Sequence, residues 1–163
     1  MSAGVYSIVA KGVTVIGANT MVFVHSGTSA TLKILRCSIS QGDKTAASEQ
    51  QAVALYTQVT AFPTLVTATP FQLGGVNDAA SAITGGTAGA AGTCGINASA
   101  EGGGAKTLGP SAGFNNLNGW EWVATPKGEI ILPASSLSGF GILLVTTPTV
   151  KTLWYAYIDY EEL

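Results

Sequence analysis

The chain has 163 residues, a length that fits one domain with a core of its own. Only 10% of its residues are charged, against about 25% in typical globular proteins, and its net charge is −2. The basic residues are scattered and no apolar stretch reaches about 18 residues, so we expect neither nucleic-acid binding nor a membrane span. One histidine and two distant cysteines give no zinc-binding spacing. Because no catalytic motif stands out either, we expect no enzyme activity and no cofactor.

Short apolar runs alternate along the chain with clusters of Gly, Pro, Asn, Ser and Thr, a pattern typical of sandwiches and barrels. The predicted strands, in chain order, are residues 5–9, 13–16, 20–25, 30–41, 53–59, 65–69, 114–123, 129–132, 139–146 and 152–160. This number of strands predicts an all-β fold, an antiparallel β-sandwich of jelly-roll-like form, as a single domain over residues 1–163. Within residues 1–12, the run 5–9 is interpreted either as the opening strand of the fold or as part of an N-terminal arm that pairs with another chain.

The stretch from residue 43 to residue 59 admits two interpretations. Asp43 is a candidate cap for a short helix, because Ala46, Ala47 and Glu49 follow it. In the second half, apolar side chains alternate and Pro63 follows closely, which favours a strand. We favour a loop followed by a strand, with the helix as the alternative.

Two turn signals predict hairpins. Asn118-Gly119 lies between apolar neighbours, and both residues tolerate a positive φ. The tripeptide Thr147-Pro148-Thr149 separates the last two long apolar runs. Each signal is expected to join two neighbouring strands of one sheet.

Residues 74–113 are almost entirely Gly, Ala, Ser and Thr, with few apolar anchors. The segment is too long for an ordinary connection between strands. We therefore predict a long Gly/Ala-rich excursion that lies against another copy of the chain.

The closing strand is apolar or aromatic on both faces. Period-2 geometry places Trp154 and Ile158 on one side, with Tyr155 and Tyr157 on the other. A lone antiparallel sandwich usually keeps one face of each strand polar. Either a third layer or another subunit must cover such strands, and 163 residues without a clear helix leave little for a third layer. We therefore predict an oligomer.

Large aromatic side chains are the type that anchors protein interfaces. The candidate oligomer-interface residues are Trp120, Trp122, Tyr155 and Tyr157. For each of them, the alternative is a position in the hydrophobic core.

Three further side chains carry chemistry. His25 ends an apolar strand, and we expect it at the surface or in an interface. Cys37 lies in a strand-like run and is predicted to be a buried thiol, whereas Cys94 lies in the Gly-rich segment. The sequence gives no support for a disulfide between them.

Three segments resemble small virion proteins of tailed bacteriophages. They are AGAAGTCGINASAEG at 88–102, FNNLNGWEWV at 114–123 with Thr125-Pro126 after it, and WYAYIDYEE at 154–162. The resemblance implies a jelly-roll-like capsid decoration (cement) protein that binds the outer head surface and stabilises the shell. It also implies a homotrimer whose partners are itself and the major capsid protein, located on the virion surface after synthesis in the host cytoplasm.

Two other functions remain open, because a fold alone does not determine function. One is a trimeric receptor- or carbohydrate-binding tip of a head or tail fibre, for which Trp120 and Trp122 would supply an aromatic platform. The other is a hydrolase on a jelly-roll scaffold, which would need two facing carboxylates or a histidine-centred cleft.

Overall fold

The computed structural model describes residues 4–15, 17–42, 48–74, 79–87, 89–149 and 153–163. These residues contain no helix, and so none that is long and apolar enough to cross a membrane. They form thirteen strands: β1 (Val5–Thr14), β2 (Asn19–His25), β3 (Leu32–Gln41), β4 (Gln50–Gln58), β5 (Thr64–Thr67), β6 (Phe71–Gln72), β7 (Thr84–Gly85), β8 (Thr93–Ala100), β9 (Lys106–Asn115), β10 (Trp120–Val123), β11 (Ile130–Leu132), β12 (Gly139–Leu144) and β13 (Leu153–Glu162).

The strands form two sheets that enclose one main hydrophobic core. Sheet I has the order β10-β3-β13-β1-β6, with β11 also paired to β3. Sheet II has the order β5-β8-β2-β12-β4-β9, and the short β7 pairs in parallel with β8. All other pairs are antiparallel. The chain is therefore the all-β sandwich that its sequence predicts.

The strands pair in a nested order. The first strand, β1, pairs with the last, β13, while β2 pairs with β12, β3 with β10 and β11, and β4 with β9. Two further pairs, β3–β13 and β4–β12, hold the nested pairs together within each sheet. Long-range pairing along the whole chain thus creates the sandwich.

The two predicted hairpins are instead crossings between the sheets. The turn at Asn118-Gly119 leads from β9 in sheet II to β10 in sheet I, and the stretch around Pro148 separates β12 in sheet II from β13 in sheet I. Gly119 does adopt the positive φ that the turn signal indicates, at 69°. The hairpin prediction was wrong because the same turn residues occur both in hairpins within one sheet and in connections between two sheets.

The core follows from the alternation of side chains on each strand. In sheet I, the register aligns Ile8, Ile158 and Cys37 in one inward row, and all three are fully buried. Trp154 lies two rows away, and its ring meets Phe114 of sheet II edge to face at 6.2 Å. The predicted burial of the Cys37 thiol is confirmed.

The N-terminal run is a strand within sheet I, which corrects the alternative of an arm over residues 1–12. Residues 5–12 belong to β1, which lies between β13 and β6. Its side chains Tyr6, Ile8 and Ala10 point into the core and are at most 2% exposed. The sequence pattern of an arm that pairs with another chain also suits a strand that pairs within its own chain. Residues 1–3 lie outside the described part.

The Gly/Ala-rich segment 74–113 also differs from the predicted excursion. It supplies β7, β8 and most of β9, all of them strands of sheet II. Small residues are needed here because other segments pass closely over these strands. A Cβ atom at Gly95 would lie 2.6 Å from the Cβ of Leu65, and one at Gly104 would overlap the Thr60 carbonyl oxygen.

The ambiguous stretch forms a strand where the structure describes it. Residues 50–58 are β4, an interior strand between β12 and β9, as the favoured interpretation predicts. The candidate cap Asp43 and residues up to 47 lie outside the described part. The helix alternative therefore fails for the second half of the stretch.

An alanine pair tests the position of β1. We expect Ile8→Ala to lower the free energy of unfolding by about 2–5 kcal/mol, because it leaves a cavity in the core. Lys11→Ala, on the exposed side of the same strand, is the matched control and should change it by less than about 0.5 kcal/mol. Urea denaturation measures both. Equal, small effects would show that this run is not part of the core.

Candidate self-association surface

The outer face of sheet I is the set of side chains that point away from the core on its strands. The register places Val9, Tyr157, Ser38 and Glu121 in one row across this face. The next row contains Ser7, Asp159, Arg36 and Val123, with Phe71 at its β6 end. Several exposed apolar side chains thus lie on this face, among them Val9, Phe71 and Val123.

Tyr155 and Tyr157 are the aromatic residues at the middle of this face, and both are half-buried. The Tyr157 hydroxyl donates a hydrogen bond of 3.0 Å to Glu121 Oε1, and the Arg36 guanidinium lies 4.9 Å from the ring centroid. Burial, and then the hydrogen bond to Glu121, raise the pKa of Tyr157 above its ordinary value. The Tyr157 ring is therefore held in place before any partner arrives.

Tyr155 lies against the backbone at two glycines. Its ring passes so closely over Gly42 that a Cβ atom there would overlap it. It also faces Gly12, which has a φ of +64° at a bulge in β1. Because of the bulge and the two glycines, the ring has room to pack against the backbone on the outer face.

Paired charges form a stripe along β3 and β13. Arg36 donates from Nε and Nη2 to Asp159 Oδ2, both at 2.9 Å, and these hydrogen bonds raise the pKa of Arg36. Lys33 lies 3.7 Å from Glu129 and 3.8 Å from Glu161. Together with Glu121, 3.6 Å from Arg36, the stripe has two basic groups and four carboxylates. It is hence compact and net acidic.

The two tryptophans occupy a different place from the two tyrosines. Trp120 and Trp122 alternate with the exposed residues of β10 and align with the buried Ile39 and Cys37. Both are partly buried and pack against the main core. The core alternative fits these positions, whereas Tyr155 and Tyr157 keep the outward position expected of interface residues. Their role in an interface stays a prediction.

The outer face of sheet II has the aromatic character of an interface, but the chain covers it itself. Phe23, Tyr56 and Leu65 form a second buried cluster there, with Phe62 packed against it. Phe62 lies 5.8 Å from Phe23 and 4.1 Å from the His25 ring, between centroids. The loop from 59 to 63, between β4 and β5, thus lies over this cluster as a third layer, which a chain of this length without a helix was expected not to supply.

A polar clamp closes this third layer. The Gln58 amide nitrogen donates to the carbonyls of Thr60, Ala61 and Gly104, at 3.1, 2.9 and 3.3 Å. These bonds join the end of β4 to the covering segment and to the loop before β9. Carbonyl groups just outside the sheet strands thereby accept hydrogen bonds from the Gln58 side chain.

Glu101 is a site residue that the sequence analysis did not single out. Its carboxylate accepts hydrogen bonds from the Thr20 amide and from the Thr20 hydroxyl, the latter at 2.7 Å. Lys106 Nζ lies 3.3 Å from Oε2 and also donates to the Glu101 carbonyl. The Thr20 hydroxyl also lies 2.7 Å from the Tyr56 hydroxyl, whose pKa is raised by burial. Only the fold brings these groups together, since 81 residues separate Thr20 from Glu101.

His25 lies beneath the third layer, contrary to the surface or interface position expected from the sequence. It is 1% exposed, and Nδ1 donates a 2.7 Å hydrogen bond to the Gly89 carbonyl. Among the described residues, no group of three His, Cys, Asp or Glu side chains is placed to hold a metal ion. The histidine therefore packs as part of the second cluster.

Both cysteines are buried free thiols. Cys94 lies on β8, with Sγ 3.1 Å from the Ala68 carbonyl, and burial raises the pKa of its thiol to about 12. Burial also raises the pKa of Cys37 well above its ordinary value. Because the thiolate is the reactive form, both side chains are protected from oxidants and alkylating reagents.

No protein-family model, curated protein or solved structure matches this chain. The arrangement of the outer faces therefore has to be interpreted from its own geometry. On sheet II the chain itself covers the aromatic cluster of Phe23 and Tyr56, while sheet I leaves a tyrosine-centred face open.

A carboxamide substitution tests the Glu101 clamp. We expect Glu101→Gln to lower the free energy of unfolding by about 1–3 kcal/mol, because the Thr20 groups lose a charged acceptor. Glu129→Gln, which breaks only a 3.7 Å surface ion pair with Lys33, is the control and should cost less than about 1 kcal/mol. Urea denaturation at neutral pH measures both. Indistinguishable losses would contradict the clamp.

Thiol labelling tests the burial of the cysteines. At pH 8, we expect neither Cys37 nor Cys94 to react with a chromogenic disulfide reagent in the native protein, because both thiols are buried and protonated. In denaturant, two thiols per chain should react within the mixing time. Rapid labelling of the folded protein would show that one of them is open to solvent.

Proposed function

We propose that this chain is a self-associating structural protein, a capsid decoration (cement) protein of a tailed phage that binds the outer head surface as a trimer. Self-association is supported by the surface of the sandwich. Its placement on a phage head is supported by the sequence resemblance.

The observation that carries the proposal is the unequal covering of the two sheets. The loop of residues 59–63 covers the aromatic cluster on the outer face of sheet II. On sheet I, Tyr155 and Tyr157 remain half-buried, and Val9 and Val123 are 43% and 55% exposed. Tyrosine is enriched at protein-protein interfaces, which supports the tyrosine-centred face of sheet I as a contact surface.

The strand order adds support from the architecture. A jelly roll has eight strands in two antiparallel sheets, and viral capsid domains are among the proteins that use it. We assign the nested pairs β1–β13, β2–β12, β3–β10 and β4–β9 to this topology. The low charge content agrees with a surface that neighbouring copies cover, because charged residues are depleted at interface cores.

The first test is the mass in solution. For the wild-type protein we expect three chains of 16.5 kDa, or about 50 kDa, by sedimentation equilibrium. Val123→Asp should shift the mass toward the monomer, because it replaces an exposed apolar side chain on β10, the edge strand of sheet I, by a carboxylate that contact with a neighbouring copy would desolvate. Leu137→Asp is the control, since Leu137 is 56% exposed in the connection between β11 and β12. A wild-type monomer at all concentrations would refute self-association.

The second test locates the chain on the particle. We expect a cryo-electron density map of phage particles that carry the protein to show it on the outer surface of the head, in contact with the major capsid protein. Density at the tip of a tail fibre would instead favour the receptor- or carbohydrate-binding function. Absence from the particle would refute both.

A further inference from the structure

An exposed aromatic knob lies at one edge of sheet I. Phe71 of the two-residue strand β6 is 66% exposed, and its partner in the register is Ser7 on the outer face of β1. Leu73, 46% exposed, follows it and donates its amide hydrogen to the Val5 carbonyl. We call Phe71 and Leu73 the β6 knob. A large ring so open to water is unfavourable unless it has a partner.

An apolar cleft lies at the opposite edge of the sandwich, between β9 of sheet II and β11 of sheet I. It has a volume of about 170 Å³, and its apolar lining includes Leu55, Leu108, Pro110, Ile130 and Phe140. We call it the β9–β11 cleft. Its mouth includes Leu108, which is 60% exposed.

The cleft exists because β9 has a bulge. The register shifts between Ala54 and Tyr56, so that Gly109 and Pro110 lie opposite Leu55 alone. Proline has no amide hydrogen to donate, and a bulge at a sheet edge is a place where it is tolerated. The sequence Gly109-Pro110 therefore opens the edge of sheet II at this point.

The size of the cleft defines what it can hold. A cavity of about 150 Å³ lined by Leu, Ile and Phe accommodates a benzene ring, whereas sites for small-molecule ligands begin at about 300 Å³. The β9–β11 cleft thus suits a single aromatic side chain. The β6 knob presents such a side chain on the same molecule, across the full width of sheet I.

We infer that Phe71 of one copy inserts into the β9–β11 cleft of the next copy. This inference rests on the proposed self-association and specifies its contact. Within one chain the two elements cannot meet, because β3, β13 and β1 separate them. A contact between two different patches is heterologous, and it closes into a ring when the rotation between copies permits. Three copies is the closure that the proposed trimer requires.

The charged stripe between the two edges agrees with this geometry. Two copies packed face to face through sheet I would bring their acidic stripes together, each with two basic groups and four carboxylates. Like charges that oppose each other across an interface are unfavourable. A contact from edge to edge joins only the apolar ends, keeps the stripes apart, and leaves the outer face of sheet I free for the capsid surface that the proposed function requires.

Two complementary variants test the inference. Phe71→Asp removes the knob but keeps the cleft, and Leu108→Asp charges the mouth of the cleft but keeps the knob. Both positions are exposed, so both variants should fold, which far-UV circular dichroism and thermal unfolding check. We expect each variant alone to sediment as a monomer of 16.5 kDa.

An equimolar mixture of the two variants is the decisive sample. It contains one intact knob and one intact cleft, so we expect a heterodimer of two 16.5 kDa chains, about 33 kDa, that cannot close into a ring. The control Leu137→Asp should keep the wild-type mass. Sedimentation velocity at matched concentrations distinguishes these species.

Each other outcome contradicts a defined statement. A monomeric wild-type protein would refute the proposed self-association and the inference with it. A wild-type oligomer with either single variant still fully assembled would refute the knob-and-cleft contact alone. The same holds if the wild type assembles but the mixture stays monomeric, because the cleft then has a different occupant.

Discussion

The structure depends on the need to shield both faces of sheet II from water. Phe23 and Tyr56 lie on its outer face, flanking Gly141, where a Cβ atom would come within 3 Å of both rings. Their burial requires a layer outside the sheet, and the chain provides it with a short apolar segment and with close-packed glycines. Exposed apolar side chains remain on sheet I, among them Val9 and Val123, and at the sandwich edges, among them Phe71 and Leu108.

This distribution links the composition to assembly. With 10% charged residues, the chain has few groups to spread over its surface, and six of its sixteen charges lie in one stripe on sheet I. The stripe is internally paired, so it needs no partner. The apolar side chains at the edges on either side of it remain exposed to solvent. Shape and charge thus favour contact between copies at the edges.

Alternation in the sequence was sufficient to predict the sandwich and the two-sided character of β13. Trp154 and Ile158 do face the core, with Tyr155 and Tyr157 opposite them. Alternation could not tell which side of β10 faces inward, and so it could not separate the tryptophans from the tyrosines. It also missed β8 and most of β9, because a run of small residues does not show a clear hydrophobic periodicity. The Glu101 clamp was invisible for a different reason, since its partner Thr20 is remote in the chain.

The pairing of β1 with β13 has a consequence for how the protein forms in the cell. Val5 and Glu161 are register partners, so β1 has no permanent neighbour on that side until the ribosome has made β13. Folds dominated by contacts between distant residues form slowly, in milliseconds to seconds for small domains. The nascent polypeptide must therefore keep one edge of an apolar strand unpaired until β13 has been made, and assistance from a chaperone would matter most in that interval.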